Sequence, residues 1–349
     1  MSMSLGSQLI SCFAQFELVA DPDEEVYLLY TNLLSGPSED SQTSTFHGLG
    51  HVDSRSDMLN ITFELTTPIL QSDPGVMKFK SRSKARSKAS RAEGKGAGMG
   101  AARVVEAQLV QDKTALRSRK GDTGSVLWQA SVDLAQVLLQ QDHTHATDAL
   151  LNKEVLTSAH VLELGAGTGL LSVVLGPLVG RYTATDIVPI LPLIRKNLAL
   201  NFDGWPFPSS PSSPPSELLK PGANVHVEEL DWLAPPPASH TASPLVDLVL
   251  AVDCIYNPSL LPAFVSTLDR VSNVSTVVLV VMELRQEELV REFLALWIAT
   301  ERWEIRRVNG LLGKRYVVWV GQKDPGTGGG PNIDVSMLSL WYSDSVPQS

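Results

Sequence analysis

The segment Glu163-Leu-Gly165-Ala-Gly167-Thr-Gly169 follows a short apolar run, His160–Leu164, and leads straight into a second one, Leu170–Leu178. Glycine at alternate positions lets a chain turn sharply where a strand ends and lets a bound molecule reach contact distance of the main chain. A strand, such a loop and then a helix form the opening unit of a doubly wound α/β sheet. The loop does not complete Gly-x-Gly-x-x-Gly, because position 170 is Leu, and it lacks the Lys-Ser/Thr ending of a P-loop.

The same rhythm continues on both sides. Gly124-Ser-Val-Leu-Trp128 leads into a helix expected over Gln129–Gln140, and Tyr182-Thr-Ala-Thr-Asp186 reads as a second strand followed by a helix, Val188–Asn201. Five more strands are expected at Val225–Leu230, Val246–Val252, Thr276–Glu283, Trp303–Val308 and Tyr316–Val320, with helices at Ser259–Arg270 and Gln286–Thr300. The last two of the seven strands are separated by a short Asn309-Gly310 turn, which forces them to be antiparallel neighbours. The expectation is a Rossmann-like α/β fold: a seven-stranded, mostly parallel sheet with helices on both faces and a C-terminal antiparallel hairpin. That is the layout of class I methyltransferases, whereas nicotinamide-binding Rossmann domains stay parallel throughout.

Composition divides the 349 residues further. Residues 1–77 read as a small appended segment, with a short helix around Glu25–Tyr30 and a strand at Met58–Leu65, where Leu59, Ile61, Phe63 and Leu65 alternate. Residues 78–102 carry eight basic side chains between Lys78 and Lys95 against the single acid Glu93, with almost no apolar content. Such a stretch cannot bury enough surface to offset its ordering entropy and is expected to be a disordered linker. The catalytic domain is expected over 103–322, interrupted by a Pro/Ser-rich surface insertion at 202–224, and followed by a tail, 323–349. The net charge of −10 argues against a general nucleic-acid coat protein, so an acidic body carries a basic strap.

Two cysteines, Cys12 and Cys254, give neither a disulfide framework nor metal-ligand spacing. His143 and His145 lie in a polar stretch without other ligand-type residues, so no metal is expected. The N-terminus has no positive charge ahead of its apolar stretch, and no run of eighteen apolar residues occurs. A cytoplasmic or nucleocytoplasmic protein is expected, in which the sequons at Asn60 and Asn273 are chance matches.

The candidate site residues sit at strand ends. Gly165, Ala166 and Gly167 form the ligand loop, preceded by Glu163, whose carboxylate suits a zwitterionic ligand better than a pyrophosphate. Asp186 closes the second strand, where a doubly wound fold offers a carboxylate to ribose hydroxyls. Asp231-Trp232 follows the third strand, where a flat aromatic can border a purine. Asp253-Cys-Ile-Tyr256 ends the fourth strand, so an acid and a phenol can both face the cleft. This differs from the [Asn/Asp]-Pro-Pro-[Tyr/Phe] tetrad expected for amide and base methylation, and an amine acceptor is favoured. Asp253 is the candidate to orient a lysine ammonium, with Tyr256 shaping the channel for its stem.

Taken together, Gly-x-x-Leu-Trp128, Val-Leu-Glu-Leu-Gly165-Ala-Gly, Thr-Asp186, Leu-Asp-Trp232 and Asp253-x-x-Tyr256 resemble the seven-β-strand lysine methyltransferases of the methyltransferase-16 group. The narrower likeness, over about residues 58–320, is to fungal ribosomal lysine N-methyltransferases. The resemblance implies that Trp128, Gly165 to Gly167, Asp186, Trp232 and Val252 contact S-adenosyl-L-methionine. Many group members have Ala where this chain has Val252. It also implies a lysine on a large-subunit ribosomal protein as substrate. The basic tract at 78–95 would then either dock on ribosomal RNA or mark a different activity, methylation of RNA or a small molecule. A binding module that had lost catalysis is disfavoured by intact Gly165, Asp186 and Asp253.

Overall fold

The computed structural model describes residues 8–10, 16–35, 50–53, 55–67, 103–112, 123–207, 220–234 and 245–324. The basic tract lies outside these residues, as do residues 325–349 of the expected tail and residues 208–219 of the Pro/Ser-rich insertion, whereas Lys323 ends the last described strand.

Four central strands, β4 (His160–Leu164), β5 (Arg181–Asp186), β7 (Leu248–Val252) and β8 (Val277–Glu283), run parallel, and β6 (Val225–Glu229) extends them beyond β5. All five residues of β4 and of β7 are buried, as strands covered on both faces require. Their side chains alternate between two cores. Val161, Leu248, Leu250, Val277 and Leu279 point to one face, under α2 (Gln129–Thr144), α4 (Leu170–Leu175) and α5 (Leu191–Asn201). Leu162, Leu164, Val249, Ala251, Val278 and Val280 point to the other, under α6 (Leu261–Val271), α7 (Glu287–Ile298) and α1 (Pro22–Leu34). A four-residue helix, α3 (Lys153–Leu156), leads into β4.

The seven expected strands are all present, and the last two are antiparallel. β10 (Tyr316–Lys323) inserts between β8 and β9 (Trp303–Val308) and is antiparallel to both. Two features were not foreseen. An eighth strand, β1 (Phe16–Leu18), pairs antiparallel with β9 and becomes the sheet edge. The helix expected from Val188 begins at Leu191, because residues 187–190 form a turn first.

The N-terminal third is therefore woven into the main body. β2 (Met58–Leu65) pairs antiparallel with β3 (Arg103–Val110), and this ribbon lies against α2 and α5. The outer edge of β3 is satisfied by side chains rather than by a strand. The Asn197 amide accepts from the Val110 N–H at 2.7 Å and donates to its carbonyl at 3.0 Å, and Asn201 does the same for Gln108 at 2.9 and 2.7 Å. Asparagines four apart share one helix face, which matches the two-residue period of the strand edge.

At the opposite sheet edge, α1 is capped by Asp21 and sends Glu25 into the core. The Glu25 carboxylate accepts from the Trp319 indole at 3.0 Å and from Arg307 at 2.7 Å; Arg307 also binds Glu17 of β1. Burial raises the Glu25 pKa, and Trp319 and Arg307 partly oppose the rise. Glu25→Ala leaves Arg307 and the indole N–H without their buried partner. Loss of one member of such a pair costs about 3–5 kcal/mol, so a clear drop in the midpoint of thermal unfolding is expected.

Candidate active site

The glycine loop bends over the carboxyl end of β4 with Gly165 at φ +66° and Gly167 at φ +56°. A side chain would be strained at both, by the positive φ and by close neighbours. A Cβ on Gly165 would lie 3.1 Å from the Cys254 sulfur, and one on Gly167 would lie 3.1 Å from the Gly124 carbonyl. The loop is fixed from the neighbouring strand: Ala166 N–H donates to the Thr185 carbonyl at 2.9 Å, and Gly167 N–H donates to Asp186 Oδ2 at 2.8 Å. Asn197 closes the far side by donating to the Thr168 carbonyl at 2.8 Å.

These turns enclose a cavity of about 290 Å³ at the carboxyl ends of β4, β5 and β7. Every residue assigned a site role from the sequence lines it: Trp128, Gly165, Ala166, Gly167, Asp186, Trp232, Val252, Asp253 and Tyr256. A larger cavity of about 410 Å³ opens beneath the loop between α2 and α3, toward the other ends of the strands. It has no glycine loop and no buried carboxylate, so the smaller cavity is the candidate site.

Glu163 sits at the base of the candidate site, where the Tyr182 hydroxyl donates to it at 2.8 Å. Burial dominates its chemistry and pushes its pKa up to about 8; the Tyr182 hydrogen bond opposes the rise and the Asp186 charge adds to it. Asp186 accepts from Gly167 and from the Ile187 N–H at 2.8 Å, so it is oriented by backbone donors before any ligand arrives. The Trp232 ring packs on Phe264 with centroids 4.9 Å apart and lies beside Gly165. Cys254 donates to the Leu164 carbonyl at 3.0 Å; burial holds its thiol well above the ordinary range, which fits packing rather than nucleophilic work.

One assignment needs correcting. Asp253 lines the cavity, but its carboxylate does not await an acceptor ammonium. Arg285 donates Nη1 to Oδ1 at 2.9 Å and Nη2 to Oδ2 at 2.6 Å, and the Asp253 side chain is 1% exposed. A bidentate, charge-assisted pair of this kind is the strong form of the interaction. Tyr256 stands at the rim, 37% exposed.

Sequence reasoning missed the segment that backs Trp128. Residues 50–53 run past Trp128, with Val52 N–H donating to the Leu127 carbonyl at 3.0 Å and Gln129 N–H donating to the Gly50 carbonyl at 2.9 Å. The His51 ring lies 4.4 Å from the Trp128 ring, and the Arg285 guanidinium lies 5.1 Å from its centroid. No local pattern ties residue 51 to residue 128. Gly124 had a readable signal in Gly-x-x-Leu-Trp, but its steric reason, the close approach of Gly167, exists only in three dimensions.

A glycine-loop cavity at the carboxyl ends of a parallel sheet, closed at one side by an inserted antiparallel strand, defines a Rossmann-like methyltransferase fold. A family model described as "Lysine methyltransferase" matches residues 111–297, more than half of the chain, and the chain belongs to that family. Among curated relatives, it is 29% identical over 202 residues to ribosomal lysine N-methyltransferase 5 of Zygosaccharomyces rouxii, covering 49% of this chain and 63% of that one. It is 28% identical over 166 residues to protein-lysine methyltransferase METTL21E of Bos taurus, covering 47% and 49%. A Schizosaccharomyces pombe protein named diaminohydroxyphosphoribosylamino-pyrimidine deaminase is 33% identical over 187 residues, which cover 53% of this chain and 40% of that protein. The chain thus spans about half the length of the curated relatives it matches.

The family's methyl donor is S-adenosyl-L-methionine. The cavity suits it: two carboxylates, Glu163 and Asp186, face a ligand that carries a sulfonium and an ammonium, and neither would favour a pyrophosphate. A cationic ligand stabilises ionised Glu163. Donor binding should therefore release a proton, and affinity for S-adenosylhomocysteine, which keeps the ammonium, should rise with pH through about 8. Calorimetry in buffers of different ionisation enthalpy checks this, and Glu163→Gln should flatten the dependence. In the ligand-free protein the folded state holds this proton above the ordinary 4.5, so the Glu163 contribution to stability falls as pH rises from about 4.5 to about 8.

Proposed function

We propose that this protein is an S-adenosylmethionine-dependent protein-lysine N-methyltransferase acting on a lysine of a large-subunit ribosomal protein. The observation that carries the reading is the meeting, in one cavity, of the glycine loop, the two donor-side carboxylates and an exposed phenol at the rim. The ribosomal part rests on the fungal relative's name, and a cytoplasmic setting goes with it.

Asp186, already aligned by Gly167 and Ile187, would receive the ribose hydroxyls. Trp232 and the Val252 backbone would flank the adenine, and Glu163 with the glycine loop would hold the amino-acid end. Bound there, S-adenosylmethionine supplies a methyl group on a sulfonium centre. The protein's own part is positioning: it brings an amine into line with that group in a site walled by Trp128, Leu127 and Val252, with Tyr256 at the rim shaping the channel for the lysine stem. No covalent intermediate on the enzyme is required.

The basic tract at 78–95 keeps RNA in the proposal in two ways. It either brings the enzyme to the ribosome through phosphate contacts or serves an RNA-methylating activity, and the first is favoured by the acidic body and the Asp253-x-x-Tyr256 pattern. Ribosomes incubated with the protein and radiolabelled donor, then digested separately with protease and RNase, should release label only with protease. Release by RNase alone would overturn the lysine reading. Deleting residues 78–95 should weaken ribosome association in a salt-dependent way and leave affinity for S-adenosylhomocysteine unchanged.

A further inference from the structure

Asp253, which lines the cavity, belongs to a cluster of three charged groups with Arg285 and Glu283. Arg285 holds both oxygens of Asp253, and its Nη2 also reaches Glu283 Oε2 at 2.7 Å. The guanidinium lies over Trp128, with the His51 ring beside that indole. The cluster packs close to the main chain: a Cβ on Gly50 would fall 2.5 Å from Arg285 Nη2 and 2.6 Å from Glu283 Oε2, so those side-chain ends would have to move. Asp253 itself has a left-handed backbone, φ +56°, which a non-glycine residue adopts at a cost. Its N–H continues the sheet to the Val281 carbonyl at 2.7 Å while its carboxylate also accepts from the Glu283 N–H at 3.3 Å.

We propose that Arg285 is a positioning residue for methyl transfer: by occupying the Asp253 carboxylate it keeps the acceptor nitrogen from being trapped there as an ammonium, so that the nitrogen reaches Tyr256 as a free amine. The inference rests on the lysine reading above. Only the neutral amine has the electron pair that forms the new C–N bond while the C–S bond breaks and its pair returns to sulfur. The amine's proton must leave to solvent before that step, and the product is the methylated ammonium. A free carboxylate within ion-pair distance raises the pKa of an amine by about 1–3 units, which lowers its neutral fraction about 10- to 1000-fold near neutral pH. Arg285 removes that penalty and places a positive charge nearby, which favours loss of the proton.

Among the described residues, the other titratable groups around the pair are Glu283, Tyr256, Cys254 and His51, with Arg315 and Glu283 acting on each other. Burial lowers the His51 pKa, Arg285 lowers it further and Asp253 opposes this. Burial alone would lower the Arg285 pKa, but the Asp253 and Glu283 carboxylates outweigh it and raise the value, so Arg285 stays charged throughout the range tested.

The test is the pH dependence of methyl transfer to ribosomal protein, measured with the full chain, alongside S-adenosylhomocysteine affinity as a check on folding. Arg285→Met should move the rising limb of kcat, which reports the bound amine, up by at least about one pH unit and lower the rate at pH 7.5 about 10- to 100-fold, while donor affinity stays within about threefold. Arg285→Lys should move the limb less. The double variant Asp253→Asn/Arg285→Met should bring the limb back toward wild type, which a purely structural role would not do. Should Arg285→Met fail to bind the donor, Asp253→Asn decides: its limb should move to lower pH, because Arg285 is then partly uncompensated. A limb that ignores Arg285→Met, a double variant that fails to recover, or an Asp253→Asn limb at higher pH would each overturn the inference. Absence of any transfer to protein by the wild-type enzyme would condemn the lysine reading instead.

Discussion

The hydrogen bond from Gly167 N–H to Asp186 Oδ2 is the interaction on which the site depends. The loop after β4 needs left-handed backbone at Gly165 and Gly167, and such a loop has few internal bonds to hold its shape. The carboxylate at the end of the next strand supplies the missing restraint. The Asp186 carbonyl also accepts from Leu230 N–H at 3.0 Å, so the turns after β4, β5 and β6 all register on one residue. The ligand cavity is therefore a by-product of how the sheet ends are tied together, and the group that ties them faces into it.

The same economy appears in the polar side chains around that frame. Asn197 pairs with the edge of β3 through both ends of its amide and also donates its nitrogen to the Thr168 carbonyl, joining the outer ribbon to the glycine loop. Gln111 does a similar task for the wall near Trp128: it accepts from the Leu127 N–H and donates to the Asp53 and Ser56 carbonyls. Both side chains are buried and fully bonded, the condition under which a buried amide fixes a structure rather than weakening it. Segments with little regular structure, such as residues 50–53, are held in this way.

The fold was legible in sequence because its signals are local. Strand period, the glycine loop and the Asn309-Gly310 turn each act over a few residues, and they led to the parallel core, the family likeness and the antiparallel end. The residues placed in the site were legible for the same reason: each sits at the end of its own strand or at the start of its own helix, and the topology brings those ends together. What stayed hidden was pairing at a distance. The β1–β9 edge joins residues about 290 apart, and a three-residue strand, Phe16–Leu18, has no periodicity to reveal it. The Asp253–Arg285 pair is 32 residues apart, and no sequence rule says which of two neighbouring carboxylates an arginine will choose. The Asp253 reading consequently had the right position and the wrong availability.

The placement of β10 has a consequence for how the chain is made. Among the described residues it is the last strand in sequence, yet it lies inside the sheet, between β8 and β9, and β9 in turn carries β1 from the N-terminal part of the chain. On the ribosome, residues 16–34 emerge long before residues 303–323 and must wait for them before Glu25 can meet Arg307 and Trp319. The exposed edges of β8 and β1 stay open until then, which is the condition under which strands pair wrongly or recruit chaperones. β10 is thus a strand threaded into a gap, and the two halves of the sheet become one body only when it arrives.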